Sequence, residues 1–234
     1  MHYFALLLGP EPAEDADEAT AAEIMTAYQN FHIKAGHAIR AGDALVSSET
    51  GVRITGGPSH PVATDGPFAE SAEVAGGYYV FEADNLDDAL ALAREIPACQ
   101  VGAVELWHMV DYAPPRAPLT GDSWIALLLE PPEKVVAPNT PEWEEGVKQH
   151  IEFGKAAGDT VVGGAPLHPP TTATTVRVRN GEVMLTDGPY IEGAEVANGF
   201  YFINTSLRDE AVKIASMIPA TTVQLRRLAG VSAL

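Results

Sequence analysis

The sequence predicts an α+β fold assembled from two copies of one unit, and three observations predict it. Residues 64–98 and 186–220 align without a gap at an offset of 122, with about half of the positions identical, far more than shared secondary structure produces. Each half opens on a short apolar run closed by proline, Phe4–Leu8 before Pro10 and Trp124–Leu129 before Pro131. The same order of apolar runs, helical patterns and turn signals then follows in both. The proline-rich stretch APPRAPLTGD at 113–122 reads as an extended connection. It gives repeats over residues 1–113 and 123–234, with a linker at 114–122.

The opening runs are too short for helices and read as buried strands. A helix follows in each copy. In the second, Thr140 can cap, Pro141 suits the first helical position, and Glu142, Glu144 and Glu145 meet the positive end of the helix dipole. Trp143, Val147 and Ile151 share one face of it. In the first copy the pattern predicts a helix from about Ala19 to Ala41, with Met25, Tyr28, Phe31 and Ala35 on its apolar side. Ala41-Gly42-Asp43 and Ala157-Gly158-Asp159 are read as matching helix ends.

Strands are expected next, around Ala44–Ser48 and Thr160–Gly164. In the second copy Val176 and Val178 alternate with Arg177 and Arg179 before Asn180-Gly181, the sequence of a tight hairpin returning through Val183–Leu185. The first copy carries a hairpin about six residues shorter. A strand at Gly76–Glu82 or Asn198–Asn204, a helix at Leu86–Ile96 or Leu207–Ile218, and a last strand at Ala103–Val110 or Thr222–Leu228 complete each unit. This order is that of a ferredoxin-like sandwich with both helices on one sheet face. The bare face of each sheet needs cover. Sheet-to-sheet packing of the two repeats, an intramolecular dimeric α/β barrel, supplies it.

Charge narrows the function classes. The chain has 14 Lys+Arg against 32 Asp+Glu, a net charge of −18, which repels phosphate backbones and anionic lipid surfaces. Nucleic acid and membrane are therefore not expected as partners. One cysteine, Cys99, forms no disulfide within the chain, and no leader-like or membrane-length apolar run occurs, so a cytoplasmic location is expected. The excess acid lies mostly in the first half: residues 1–122 carry 5 basic and 19 acidic residues, the remainder 9 and 13.

The sharpest shared features are Asp65-Gly66-Pro67-Phe68-Ala69-Glu70 and Asp187-Gly188-Pro189-Tyr190-Ile191-Glu192, each followed three positions later by Glu73 or Glu195. Asp-Gly-Pro is first of all a turn, with a side chain that bonds its own backbone, a glycine at positive φ and a fixed proline. The same turn can aim a carboxylate into a cleft. With these residues the sequence resembles the YCII-related family, specifically its DGPF-motif branch, once per copy. The resemblance implies a helix histidine working with the sheet aspartate: His32 with Asp65, and His150 with Asp187, from the shared pattern His-Ile-x-x-Gly, with His37 as an alternative in the first copy.

An imidazole held by a carboxylate suits proton transfer near neutral pH. Glu70, Glu192, Tyr79 and Tyr201 are the candidate substrate contacts, although the tyrosines equally suit the sheet core. No Cys/His cluster has metal-ligand spacing and no phosphate loop or dinucleotide fingerprint occurs, so no metal and no cofactor are expected. The expected function is that of a cofactor-free enzyme of lyase, isomerase or hydrolase type acting on a small organic molecule. The alternative is a noncatalytic binding module or a sigma-factor-associated accessory protein. The second copy, with its longer hairpin and milder charge, is expected to hold the more competent site, and any further oligomerisation is left open.

Overall fold

The computed structural model describes residues 1–11, 18–67, 73–189 and 195–231. The first half runs β1 (His2–Gly9), α1 (Glu18–Ala35), β2 (Ile39–Ala44), β3 (Val52–Thr55), β4 (Val62–Asp65), β5 (Val74–Glu82), α2 (Leu86–Ala93), α3 (Ala98–Val101) and β6 (Ala103–His108). The second runs β7 (Ser123–Glu130), α4 (Pro141–Ala157), β8 (Val161–Pro166), β9 (Thr174–Arg179), β10 (Glu182–Asp187), β11 (Val196–Asn204), α5 (Arg208–Ala215) and β12 (Thr222–Arg227).

Two six-stranded antiparallel sheets result, in the orders β10-β9-β6-β1-β5-β2 and β4-β3-β12-β7-β11-β8. Within them, β6-β1-β5-β2 and β12-β7-β11-β8 each have the ferredoxin-like order. Alternation along the strands divides the apolar residues into three cores. Phe4, Tyr78, Val80 and Trp107 of the first sheet meet Ile125, Leu127, Phe200 and Phe202 of the second, with the rings of Phe4 and Phe200 stacked at 4.4 Å. On the opposite faces, Phe31, Ala89 and Ala93 pack on Tyr3, Ala5 and Tyr79, while Phe153, Ala211 and Ile214 pack on Trp124, Ala126 and Leu225. The layers are thus helix, sheet, sheet, helix, and each bare sheet face covers the other. None of the described helices is long and apolar enough to cross a membrane.

The outer hairpins are exchanged, which the sequence did not predict. Hairpin β9–β10 of the second half extends the first half's sheet through β6, and β3–β4 of the first half extends the second half's sheet through β12. The chain changes sheets directly after β2 and β8. Leu45 bridges Leu228 and Val46 N–H donates to the Arg227 carbonyl, while Leu167 bridges Met109 and His168 N–H donates to the His108 carbonyl. Ion pairs then tie each hairpin to the repeat that receives it. Arg177 of β9 forks onto Glu73 just before β5, at 2.9 and 3.0 Å, and Arg53 of β3 pairs with Glu195 just before β11. Glu73 and Glu195, the repeated second glutamates, thereby bind the swap.

Two local readings change. Helix α1 ends at Ala35, not near Ala41, because Ile39–Ala44 already pairs with β5. Gly42 consequently sits within a strand, where a Cβ would overlap the Tyr79 ring. Its counterpart is Gly164, beside Tyr201, whereas Gly158 does end α4 at φ 62°. Residues 113–116 lie along β8, with Ala113 and Gly164 exchanging hydrogen bonds and Arg116 N–H reaching the Val162 carbonyl.

The Arg177–Glu73 pair has side chains only 19% and 18% exposed, so removing one partner strands a largely desolvated charge. Glu73→Gln is expected to lower unfolding stability by about 1–3 kcal/mol. Glu152→Gln, in the solvent-exposed pair with Lys155, should change it by less than about 0.5 kcal/mol. Urea unfolding of the two variants measures the difference.

Candidate functional site

The two helix histidines occupy equivalent places and meet tyrosines. His32 Nε2 lies 2.7 Å from the Tyr79 hydroxyl, and His150 Nδ1 lies 2.9 Å from the Tyr201 hydroxyl. Burial pushes the Tyr201 phenol up to about 12 and raises that of Tyr79 further, so both remain protonated. Burial also holds His150 down at about 4 and lowers His32. Each neutral imidazole shares one hydrogen bond with its tyrosine hydroxyl, through Nε2 of His32 and Nδ1 of His150. The arrangement ties α1 to β5 and α4 to β11 across the helix–sheet layers.

Hairpin exchange decides where the aspartates go. Asp65 stands opposite Val52 on the helix-covered face of the second sheet and is held by Arg208 of α5. His32 lies over the first sheet, on the far side of the sandwich. Asp187 ends β10 in the first sheet, whereas His150 lies over the second. The structure therefore brings together neither His32 with Asp65 nor His150 with Asp187. His32 and Asp187 do share a layer, but Tyr79, Ala5, Leu106, Thr174 and Asp187 form one lateral row of paired residues. Four interstrand steps of about 4.8 Å separate the ends of that row by roughly 19 Å.

Asp187 instead meets first-repeat residues in a cleft of about 300 Å³ lined by Tyr3, Leu86, His108, Thr171, Thr172, Ala173, Thr174 and Asp187. His108 ends β6 beside Tyr3 of β1, their rings stacked at 5.1 Å, and its other face stacks on His168 at 4.6 Å with planes 10° apart. Burial lowers the His108 pKa, and the neighbouring His168 and the chain's amino terminus lower it further. The ring is thus a neutral base at pH 7. Neither His108 nor His168 has a counterpart in the other half of the sequence, so the internal similarity gives no signal for them. They come together only through the strand crossover after β8, which no local motif announces.

The pseudo-equivalent place around Asp65 differs at each neighbour. Arg208 stands where the cleft has Leu86, and Arg227 where it has His108, bonded to Asp122 and the Gly121 carbonyl. Asp65 is neutralised by an ion pair, while Asp187 makes none among the described residues. Glu70 and Glu192 lie outside the described residues. Among those described, no three His, Cys, Asp or Glu side chains gather as metal ligands.

Residues 1–112 match the family description "YCII-related domain". The first half of the chain is thus similar to that family. An uncharacterised protein of Rhizobium meliloti (strain 1021) is 37% identical over 68 residues, which cover 29% of this chain and 51% of that protein. The chain thus spans about half the length of that curated relative. A solved structure named provisionally as a chlorite dismutase aligns over 98% of this chain and 95% of its own, with 8% identity and a TM-score of 0.47.

The depressed pKa of His150 makes stability depend on pH. Between about 4 and 6.5 the unfolded chain binds a proton at this position that the folded chain refuses, so acidification through that window favours unfolding. Thermal unfolding at pH 7 and pH 5 should show a smaller acid-induced fall for His150→Phe than for the unaltered chain, since phenylalanine has nothing to protonate.

Proposed function

We propose that the chain is a tandem duplication of a DGPF-type YCII-related domain and acts as a small-molecule enzyme whose working cleft both repeats build. The observation that carries this reading is that Asp187 and His108 line one cleft of about 300 Å³ together with Tyr3. That volume suits a small organic molecule. Neutral His108 takes a proton from an acidic C–H or O–H of the bound molecule. Asp187 stabilises the imidazolium, which returns the proton to another atom of the same molecule or to a leaving group. This is the proton balance of an isomerase or a lyase, and side chains alone move the proton. The Asp65 side is the silent copy, its carboxylate engaged by Arg208. The buried, unpaired Cys99, its thiol pushed up to about 12 by burial, fits a reducing cytoplasm.

A metabolite screen by ligand-detected NMR, followed by turnover assays on each binder, tests the proposal. Asp187→Asn and His108→Gln are each expected to lower kcat/KM by about 10²–10⁴, while Asp65→Asn and His150→Phe leave it within about threefold. Activity should fall on the acid side as His108 is protonated, below the usual histidine range. A ligand bound in the cleft without any conversion would make the protein a holder of that metabolite. Equal losses from Asp65→Asn and Asp187→Asn would overturn the asymmetry.

A further inference from the structure

Each sheet has two edges, and the chain covers only some of them. The edge of β8 is occupied by residues 113–116, and that of β2 receives Ala229 N–H on the Ala44 carbonyl. Strands β4 and β10 end their sheets with no strand beyond them among the described residues. The two are not alike. Strand β4 is four residues long, and its last side chain is tied to Arg208. Strand β10 has six residues and presents three consecutive large apolar side chains, Val183, Met184 and Leu185, at 44%, 52% and 55% exposure. Val183 and Leu185 stand opposite Val178 and Val176 on the helix-covered face, on which Val101 of neighbouring α3 is also 71% exposed. Soluble proteins guard such an edge with lysine, proline or a bulge. Strand β10 has none of these.

We propose that β10 is a homodimer interface, pairing antiparallel with β10 of a second copy so that two six-stranded sheets become one of twelve. The hydrogen-bond phase limits the registers, and apolar contact favours one of them. Asn180 and Gly181 both have positive φ, 54° and 80°, the mark of a two-residue type I′ turn, whose flanking pair Arg179–Glu182 exchanges both hydrogen bonds. Glu182, Met184 and Thr186 therefore direct their backbone groups to β9. Val183, Leu185 and Asp187 direct theirs to the open edge. Antiparallel pairing joins residues of like phase, so the two-fold axis passes through a residue and not between two.

Centring on Met184 sets Val183 against the second copy's Leu185 and Glu182 against its Thr186. The four branched side chains then form one apolar cluster, and no two carboxylates face each other. Pairing between residues, which would oppose Glu182 and Asp187, is forbidden by phase as well as by charge. A two-fold contact closes on itself and leaves no edge for a third copy, which makes the second copy a fitting occupant where an open-ended partner would propagate.

Sedimentation equilibrium on the full chain at micromolar concentrations tests the interface. The expected species has twice the chain mass of 24.8 kDa. Leu185→Lys, at a position already exposed, should raise the dimer dissociation constant at least 100-fold, while Val62→Lys on β4 leaves it unchanged. Hydrogen exchange provides a residue-level readout: the amides of Val183 and Leu185 should slow with rising concentration, and those of Val62 to Asp65 should not. A monomer at all concentrations, or a dimer that survives Leu185→Lys with unchanged exchange along β10, would overturn the proposal. This outcome is separable from that of the cleft, because a monomeric chain can still turn over a substrate at Asp187.

Discussion

Cross-repeat hairpin pairing is the constraint on which the rest of this structure depends. Once β9 lies beside β6 and β3 beside β12, neither half owns a complete six-stranded sheet. Each exchanged hairpin is secured by the other half, through Arg177–Glu73 and Arg53–Glu195. The apolar core between the sheets would cohere without the exchange, since Phe4, Tyr78, Phe200 and Phe202 meet there in any case. What the exchange adds is a fixed place for each Asp-Gly-Pro turn, on the sheet opposite to the one its own repeat builds.

That placement separates two roles that the sequence motifs suggest for one site. The helix histidines are equivalent in sequence and position, and both hydrogen-bond a sheet tyrosine, a helix-to-sheet tie that suits a neutral ring. The aspartates are also equivalent in sequence, yet their environments have diverged. Leu86 and His108 beside Asp187 leave a cleft, whereas Arg208 and Arg227 at the matching positions around Asp65 supply cations.

Much of the fold was legible because its signals are local. The Asn180-Gly181 turn, the Thr140-Pro141 helix start and the short apolar strands stand where the pattern placed them. The register error at Ala41-Gly42-Asp43 arose because a glycine serves two purposes. At Gly158 it ends a helix, while at Gly42 it makes room for the Tyr79 ring, and the tripeptide is the same. The site was less legible for a topological reason. A histidine and an aspartate of one repeat look like partners when the repeat is imagined as a closed unit, and the crossover after β8 that brings Asp187 to His108 depends on long-range pairing of Leu167 with Met109. The repeated Glu73 and Glu195 were visible in the sequence, but no local signal says that Glu73 pairs with Arg177 and Glu195 with Arg53.

The most direct measurement of the central claim is the set of interstrand backbone NOEs of β9 in the isotopically labelled protein. The exchanged arrangement predicts contacts between Val104 and Val176 and between Glu105 and Thr175, with matching contacts between Arg53 and Gln224. Contacts from Val176 to β12 and from Val52 to β6 would place each hairpin on its own repeat's sheet, and would contradict both the exchange and the cleft built on it.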